Sequence, residues 1–184
     1  RTKGPALMGS LGMQTIKYGL MPLCILEQIS FMQEGSTMLK QPADTFYQIA
    51  DEFISFITGT ELSEQSAERL ITLLMALYIA ALELPDADPE TEDAHRGSEF
   101  PQIRISKRLK TTYWEVFDPF ENKEPVCSDL YDDIRDIAKD LLDGMEEYDA
   151  GRPENAVFEW RFGLNNHWGS HAVDAIRALH ALRT

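Results

Sequence analysis

The C-terminal segment from Phe162 to Thr184 contains three of the four histidines of the chain. His167 and His171 stand four residues apart, and Asp174 follows three residues after His171. On an α-helix this spacing places the three side chains on one face. Imidazole nitrogens and carboxylate oxygens are ligands of divalent transition metals. The segment therefore predicts a candidate metal site formed by His167, His171 and Asp174.

Three side chains on one straight helix rarely converge as closely as metal coordination requires, so further ligands such as Glu115 or Asp118 would have to come from elsewhere. The chain has neither an HExxH motif nor the paired Glu-x-x-His motifs of di-iron bundles. The interpretation we favour is that the histidines border an apolar face and form hydrogen bonds with neighbours such as Asp118 or Tyr113. We therefore predict no cofactor, and keep a divalent metal as the alternative.

Arg161 is the second candidate for chemistry. The helical phase places it on the predicted buried face, beside Leu164 and Trp168. A guanidinium group in that position needs a carboxylate partner, because an unpaired buried charge is strongly unfavourable. The segment EVFDP offers Glu115 and Asp118, and we expect Asp118 because the following proline holds it in a turn. The alternative is an anion-binding arginine at the base of a cleft.

Apolar residues recur at three- and four-residue spacing in four stretches, which predicts the helices that position these side chains. The stretches lie within residues 46–57, 67–81, 130–145 and 153–182. The last stretch passes through Gly163 and Gly169 without losing phase, so we predict one long helix, bent near a glycine. Ser128 is the expected N-cap of the third helix, whose aspartates are expected to face outward. No segment shows sustained strand alternation, an internal repeat or a βαβ pattern. These patterns predict an all-α, single-domain bundle of about five or six helices with a long C-terminal helix.

The segments outside these stretches are less regular. Residues 101–110 predict a short helix, although QIRIS also alternates as a strand does. The segment YWEVFDPFENKEP predicts an irregular stretch anchored to the core by Trp114, Phe117 and Phe120. Residues 1–40 are interpreted as an irregular N-terminal arm or a segment added to the natural chain, with a short helix over 23–33. Residues 41–184 form the predicted domain.

The composition and net charge of the chain argue against several classes of function. Hydrophobic residues make up 43% of the chain and charged residues 26%, as in soluble globular proteins. The net charge of −14 argues against binding nucleic acid or an anionic membrane, because both require clustered lysine and arginine. Two cysteines far apart are typical of reduced thiols in a cytoplasmic protein.

Motifs for nucleophilic catalysis and phosphate binding are missing, so we predict a non-catalytic protein. It would bind another macromolecule, such as a basic protein, through acidic surfaces at 86–99 and 129–149. The alternative is metal binding, or a metal-dependent enzyme, using the His-x3-His-x2-Asp set. Whether the chain is an enzyme stays open.

Four motifs are similar to those of a known family. They are YWEVFDP at 113–119, EWRF at 159–162, HWGSH at 167–171 and ALH at 178–180. With them, nearly everything after Met38 resembles an uncharacterised bacterial family known only as a domain of unknown function. The resemblance implies a discrete cytoplasmic bacterial domain, and it implies no activity, substrate or catalytic residue.

Overall fold

The computed structural model describes the backbone of residues 23–89 and 100–183, and side chains within residues 39–89 and 100–183. The described chain contains five α-helices and two small two-stranded sheets. The helices are α1 (Leu23–Gly59), α2 (Ala67–Leu82), α3 (Leu130–Asp149), α4 (Pro153–Asn166) and α5 (Trp168–Ala181). This architecture confirms the prediction of a predominantly α-helical bundle with a long helical region at its C-terminus.

The chain divides between Glu34 and Gly35 into two units, and the packing described below lies within the second unit, Gly35–Thr184. Helix α1 starts at Leu23, so part of the predicted N-terminal arm has helical backbone. Residues 1–22 lie outside the described residues, so the prediction of an irregular arm or added segment is not tested there.

The core of the second unit is formed by the apolar stripes of the helices, as their periodicity predicts. The stripe of α1 consists of Phe46, Ala50, Phe53 and Ile57, all fully buried. Helix α3 packs against α4 and α5, and α2 packs against α5. The ring centroids of Trp160 on α4 and Phe46 on α1 lie 4.7 Å apart. Burial of such large rings contributes strongly to stability, because the hydrophobic free energy grows with the apolar area removed from water.

The predicted short helix at 101–110 is wrong. In its place β2 (Arg104–Ile105) pairs in parallel with β1 (Glu61–Leu62), the strand alternative that QIRIS allowed. The predicted anchoring of the next segment is also wrong. Strand β3 (Thr112–Glu115) pairs antiparallel with β4 (Val126–Asp129), so alternate side chains point to opposite faces. Trp114 is therefore exposed, and in the following loop Phe117 and Phe120 are 79% and 98% exposed.

The C-terminal helical region is divided at His167, where the sequence predicted one continuous helix. The backbone of His167 has φ −150° and ψ −87°, which ends α4 and starts α5. Two glycines permit the tight junction. A Cβ at Gly163 would lie 2.6 Å from Cδ1 of Trp168, and one at Gly169 would overlap the carbonyl of Leu164. The indole of Trp168 folds back and donates a hydrogen bond to the carbonyl of Trp160, at 2.9 Å.

One helix of the described chain, Glu64–Leu82, is long and apolar enough to cross a membrane by length and composition. Its residues Leu70, Leu74 and Leu77 are buried in the bundle. The core helix of a soluble protein passes the same test, so this segment is consistent with a soluble protein and is weak evidence for a membrane span.

Candidate metal centre

Three aspartates of α3 lie on the face that packs against the C-terminal helices. Asp133, Asp136 and Asp140 are spaced three and four residues apart, so they share one side of the helix. The prediction that the aspartates of this helix all face outward is wrong, because Asp133 is only 2% exposed. The helix is placed by its N-cap, Asp129, whose carboxylate accepts a hydrogen bond from the backbone nitrogen of Tyr131 at 2.8 Å. The expected cap, Ser128, lies one residue earlier.

The two histidines meet this face from the junction of α4 and α5. His167 occupies the junction itself, and its Nδ1 lies 2.7 Å from Oδ2 of Asp140. His171 lies one turn into α5, and its Nδ1 lies 2.9 Å from Oδ1 of Asp133. An ionised carboxylate can only accept a hydrogen bond, so Nδ1 of each ring carries the proton. The nitrogen left with a free lone pair is then Nε2 in both histidines.

Asp136 lies between the two imidazoles. Its Oδ2 is 3.9 Å from Nε2 of His171, and the rings of His167 and His171 meet edge to face with centroids 4.9 Å apart. One oxygen of Asp136 and one ring nitrogen of each histidine all lie within 4.8 Å of one another. Tetrahedral ligands bound at about 2.1 Å stand roughly 3.4 Å apart, so small side-chain rotations would bring these three atoms to the spacing of ligands of one ion. The side chain of Asp136 is 35% exposed and has room for such a rotation, whereas the ring of His167 is held by Asp140.

Buried neighbours fix the orientation of His171. The carboxylate of Asp133 accepts hydrogen bonds from His171 and from the hydroxyl of Tyr113, the latter at 2.6 Å. The hydrogen bond to Asp133 raises the pKa of His171, opposed by burial and assisted by the charges of Asp133, Asp136 and Glu115. A metal ion at Nε2 would therefore compete with a proton, as at other histidine sites.

The predicted ligand Asp174 is not part of this cluster. It lies 3.3 Å from Nη2 of Arg177 and beside the buried Glu115. Helical spacing alone placed Asp174 near the histidines, but the side chain lies against Arg177 and Glu115, which belong to other contacts of α5. Asp136 supplies the carboxylate instead.

The predicted ion pair of Arg161 with Asp118 or Glu115 is also wrong. Arg161 donates to the carbonyl of Leu84 and lies 2.9 Å from Asp86, beyond the end of α2. Its side chain is 31% exposed, at the edge of the buried face. Asp118 instead accepts a hydrogen bond from the backbone nitrogen of Phe120 at 2.9 Å. Glu115 lies 3.2 Å from the hydroxyl of Tyr113.

Sequence reasoning therefore found both histidines and missed every carboxylate that contacts them. The available signal was the run DDIRDIAKD, in which aspartates recur at helical spacing on a strongly amphipathic helix. That signal could not be assigned to the histidines without knowing that α3 packs against α5.

The fold and this centre define a class of protein: a small helical bundle with a histidine–aspartate cluster between two of its helices. Residues 37–184 match the model of the family described as domain of unknown function DUF5063, and the chain belongs to that family. A crystal structure of a Bacteroides fragilis protein has a similar fold, with a TM-score of 0.57 at 18% sequence identity. The match covers 79% of this chain and 94% of that one. Among the curated proteins no significant match is found.

Proposed function

We propose that the protein binds a divalent transition-metal ion, with His167, His171 and Asp136 as its ligands. The observation that carries this proposal is the carboxylate hydrogen-bonded to Nδ1 of each histidine. Carboxylate–histidine–metal arrangements of this kind fix the tautomer and increase the basicity of the coordinating nitrogen. Two histidines and one carboxylate leave coordination positions open, as in catalytic zinc sites and non-haem iron sites.

The ion would supply a Lewis acid or an activated water at the open positions. The chain's own groups have the supporting roles: Asp133 and Asp140 orient the rings, and Tyr113 holds Asp133 in place through its hydroxyl. Bacterial origin and a cytoplasmic location are part of the proposal. The exposed free thiol of Cys127 supports the location, because such thiols persist in reducing compartments.

The test is zinc titration of untagged protein by calorimetry, with magnesium as a control ion that prefers oxygen ligands. We expect one zinc ion per chain and no comparable binding of magnesium. At about 100 times the dissociation constant, zinc should stabilise the fold by about 2.7 kcal/mol. For a chain of this length that corresponds to a rise in Tm of roughly 5–10 °C.

Matched variants separate the centre from general surface effects. His171→Ala and Asp136→Asn should abolish zinc binding. His180→Ala and Asp132→Asn remove a histidine and a carboxylate of the same helices that lie exposed and outside the cluster, so they should bind zinc normally. Equal zinc binding by Asp136→Asn and Asp132→Asn would contradict the proposal, as would less than one ion per wild-type chain.

A second function, binding of a basic protein partner, is favoured by the exposed aromatics of the β3–β4 connection. Trp114, Phe117 and Phe120 are exposed in a chain of net charge −14, and aromatic residues are enriched at the centres of interfaces. Glu121 and Asp118 lie beside them and would meet positive charge on the partner.

Affinity purification from native cells at low and high salt tests this function. A specific partner should be retained by wild-type protein and lost by the double variant Phe117→Ser/Phe120→Ser. Recovery of the same proteins by both would count against an interface at this loop.

A further inference from the structure

A groove of about 550 Å³ lies beside α5, and no residue of the histidine–aspartate cluster lines it. Its volume falls within the range of about 300–1,000 Å³ that is typical of small-molecule sites. About half of its wall is apolar, and this part is formed by Tyr78, Val116, Phe117, Pro119, Leu164 and Val173. The rest of the wall is polar, and two of its groups, Asp174 and Arg177, carry opposite charges. In ligand sites, apolar surface provides binding area and placed polar groups fix the orientation of the ligand.

The two charged groups are held close together by the fold. Nη2 of Arg177 lies 3.3 Å from Oδ1 of Asp174 and donates to the carbonyl of Trp114 at 3.1 Å. Both bonds use Nη2, so Nε and Nη1 of this guanidinium can donate to another acceptor. Behind Asp174 lies Glu115, a carboxyl group that is only 6% exposed.

We propose that this groove binds an apolar α-amino acid as its zwitterion. The ammonium group pairs with Asp174, the carboxylate pairs with Arg177, and the side chain packs between Phe117 and Val173. In an amino acid the two charges are separated by a single carbon, so they can lie antiparallel to the neighbouring charges of Asp174 and Arg177. Each ligand charge then meets an opposite charge at short range, where interactions in a partly desolvated groove are strong.

The electrostatics of Asp174 support an incoming cation. Burial, and next the charge of Glu115, raise the pKa of Asp174, while Arg177 lowers it. Arg177 alone therefore does not balance the carboxyl groups of Asp174 and Glu115. An ammonium group would supply the missing positive charge. A ligand with only a negative charge would be repelled by the carboxyl groups of Asp174 and Glu115. A ligand with only a positive charge would be repelled by the guanidinium of Arg177. A ligand that carries both charges therefore fits best.

Three ligands with the same ring measure the contribution of each charged group to binding. They are phenylalanine, phenethylamine, which has no carboxylate, and 3-phenylpropionate, which has no ammonium group. Binding is measured by calorimetry on the full chain with EDTA present, so that the metal centre does not contribute. We expect phenylalanine to bind most tightly, with a loss of roughly tenfold or more for either analogue. This comparison needs only the wild-type protein.

Protein variants then assign each charge. Asp174→Asn should weaken phenylalanine and phenethylamine by similar factors and leave 3-phenylpropionate little changed. Arg177→Gln should weaken phenylalanine and 3-phenylpropionate instead. Asp132→Asn and Arg135→Gln are the matched controls. Asp132 and Arg135 form a pair with the same three-residue spacing on α3, and the two substitutions change the net charge by the same amounts away from the groove.

Two substitutions by tryptophan test whether the ligand binds in this groove. Val173→Trp fills the groove from an exposed position and should abolish binding, whereas Met75→Trp places the same indole at an exposed position of α2 and should not. Several results overturn the proposal: equal affinity for phenylalanine and either analogue, no saturable binding at millimolar phenylalanine, or equal effects of Asp174→Asn and Asp132→Asn. Failure here with intact zinc binding would remove the groove site alone, since the two sites share no residue.

Discussion

Gly144 is the position where α3 and α4 approach each other, and replacing it with alanine tests their packing. An added Cβ would lie within 3 Å of three atoms of the Trp160 indole. Real Cβ atoms essentially never come that close, so either the indole or a helix must move. Trp160 cannot move freely because it is fully buried, and its Nε1 donates to the carbonyl of Leu141 at 3.1 Å.

The expected magnitude follows from three contributions. Overpacking of a core costs about 1–3 kcal/mol. Displacing the indole from Leu141 leaves a buried donor unsatisfied, which costs about 1–3 kcal/mol. Alanine is favoured over glycine within a helix by about 1 kcal/mol, which offsets part of this cost. We therefore expect Gly144→Ala to lower the free energy of unfolding by roughly 1–5 kcal/mol, or Tm by roughly 2–20 °C.

Urea denaturation followed by circular dichroism measures the change. Gly59→Ala is the matched control, because no atom lies within 4 Å of its added Cβ and its φ is not positive. That variant should be neutral or more stable by up to about 1 kcal/mol.

A double-mutant cycle with Trp160→Leu isolates the contact. Removing the indole removes the three clashing atoms, so Gly144→Ala should cost much less in the Trp160→Leu background. Equal costs in the two backgrounds would refute the reasoning, as would a Gly144→Ala variant as stable as Gly59→Ala. Either result would mean that α3 and α4 are further apart than the structure has them.

Three further predictions concern other contacts of the bundle. The pKa of Asp174 is raised in the folded protein by burial and by Glu115, so the folded state disfavours its charged form. The resulting loss of stability is absent below the ordinary pKa of an aspartate and develops as pH rises through the raised folded value. Asp174→Asn should therefore raise Tm at pH 7, and melts repeated at falling pH should show this gain disappearing; a gain that persists at low pH contradicts the assignment. Trp168→Phe removes the hydrogen bond to the backbone and leaves unfilled volume, so urea denaturation should show a loss of roughly 1–3 kcal/mol, and an unchanged midpoint would count against this contact. Arg161→Met should cost no more than about 1 kcal/mol by the same measurement, because the guanidinium is partly exposed and Asp86 is almost fully so; a loss of several kcal/mol would restore the buried ion pair.

The helices could be predicted from the sequence because the burial of a helical stripe is a local pattern. The spacing of Phe46, Phe53 and Ile57 on α1 is enough to assign their buried face, whichever helix covers it. The same applies to α2 and to the apolar face of α3. The histidine pair was likewise visible, since both imidazoles stand one turn apart in a single segment.

The junction at His167 could not be predicted from periodicity. The apolar stripe continues from Trp160 to Trp168 at helical spacing, although the backbone between them leaves the helical region at one residue. The glycines that permit the junction are visible in the sequence, but a glycine in a helix also accompanies close packing without a break. Only the contact of the Trp168 indole with the backbone of α4 decides that the chain folds back here.

By itself the sequence determined the all-α class, the buried face of each long helix and the two histidines, because all of these depend on residues within a few turns of one another. The tertiary structure decided which carboxylates join them. Asp133, Asp136 and Asp140 reach His167 and His171 only because α3 packs against α5, whereas the carboxylate of Asp174 lies against Arg177 and Glu115. Such pairings join residues about thirty positions apart in the chain, and they are set by how whole helices fill a shared core. No local spacing carries that information.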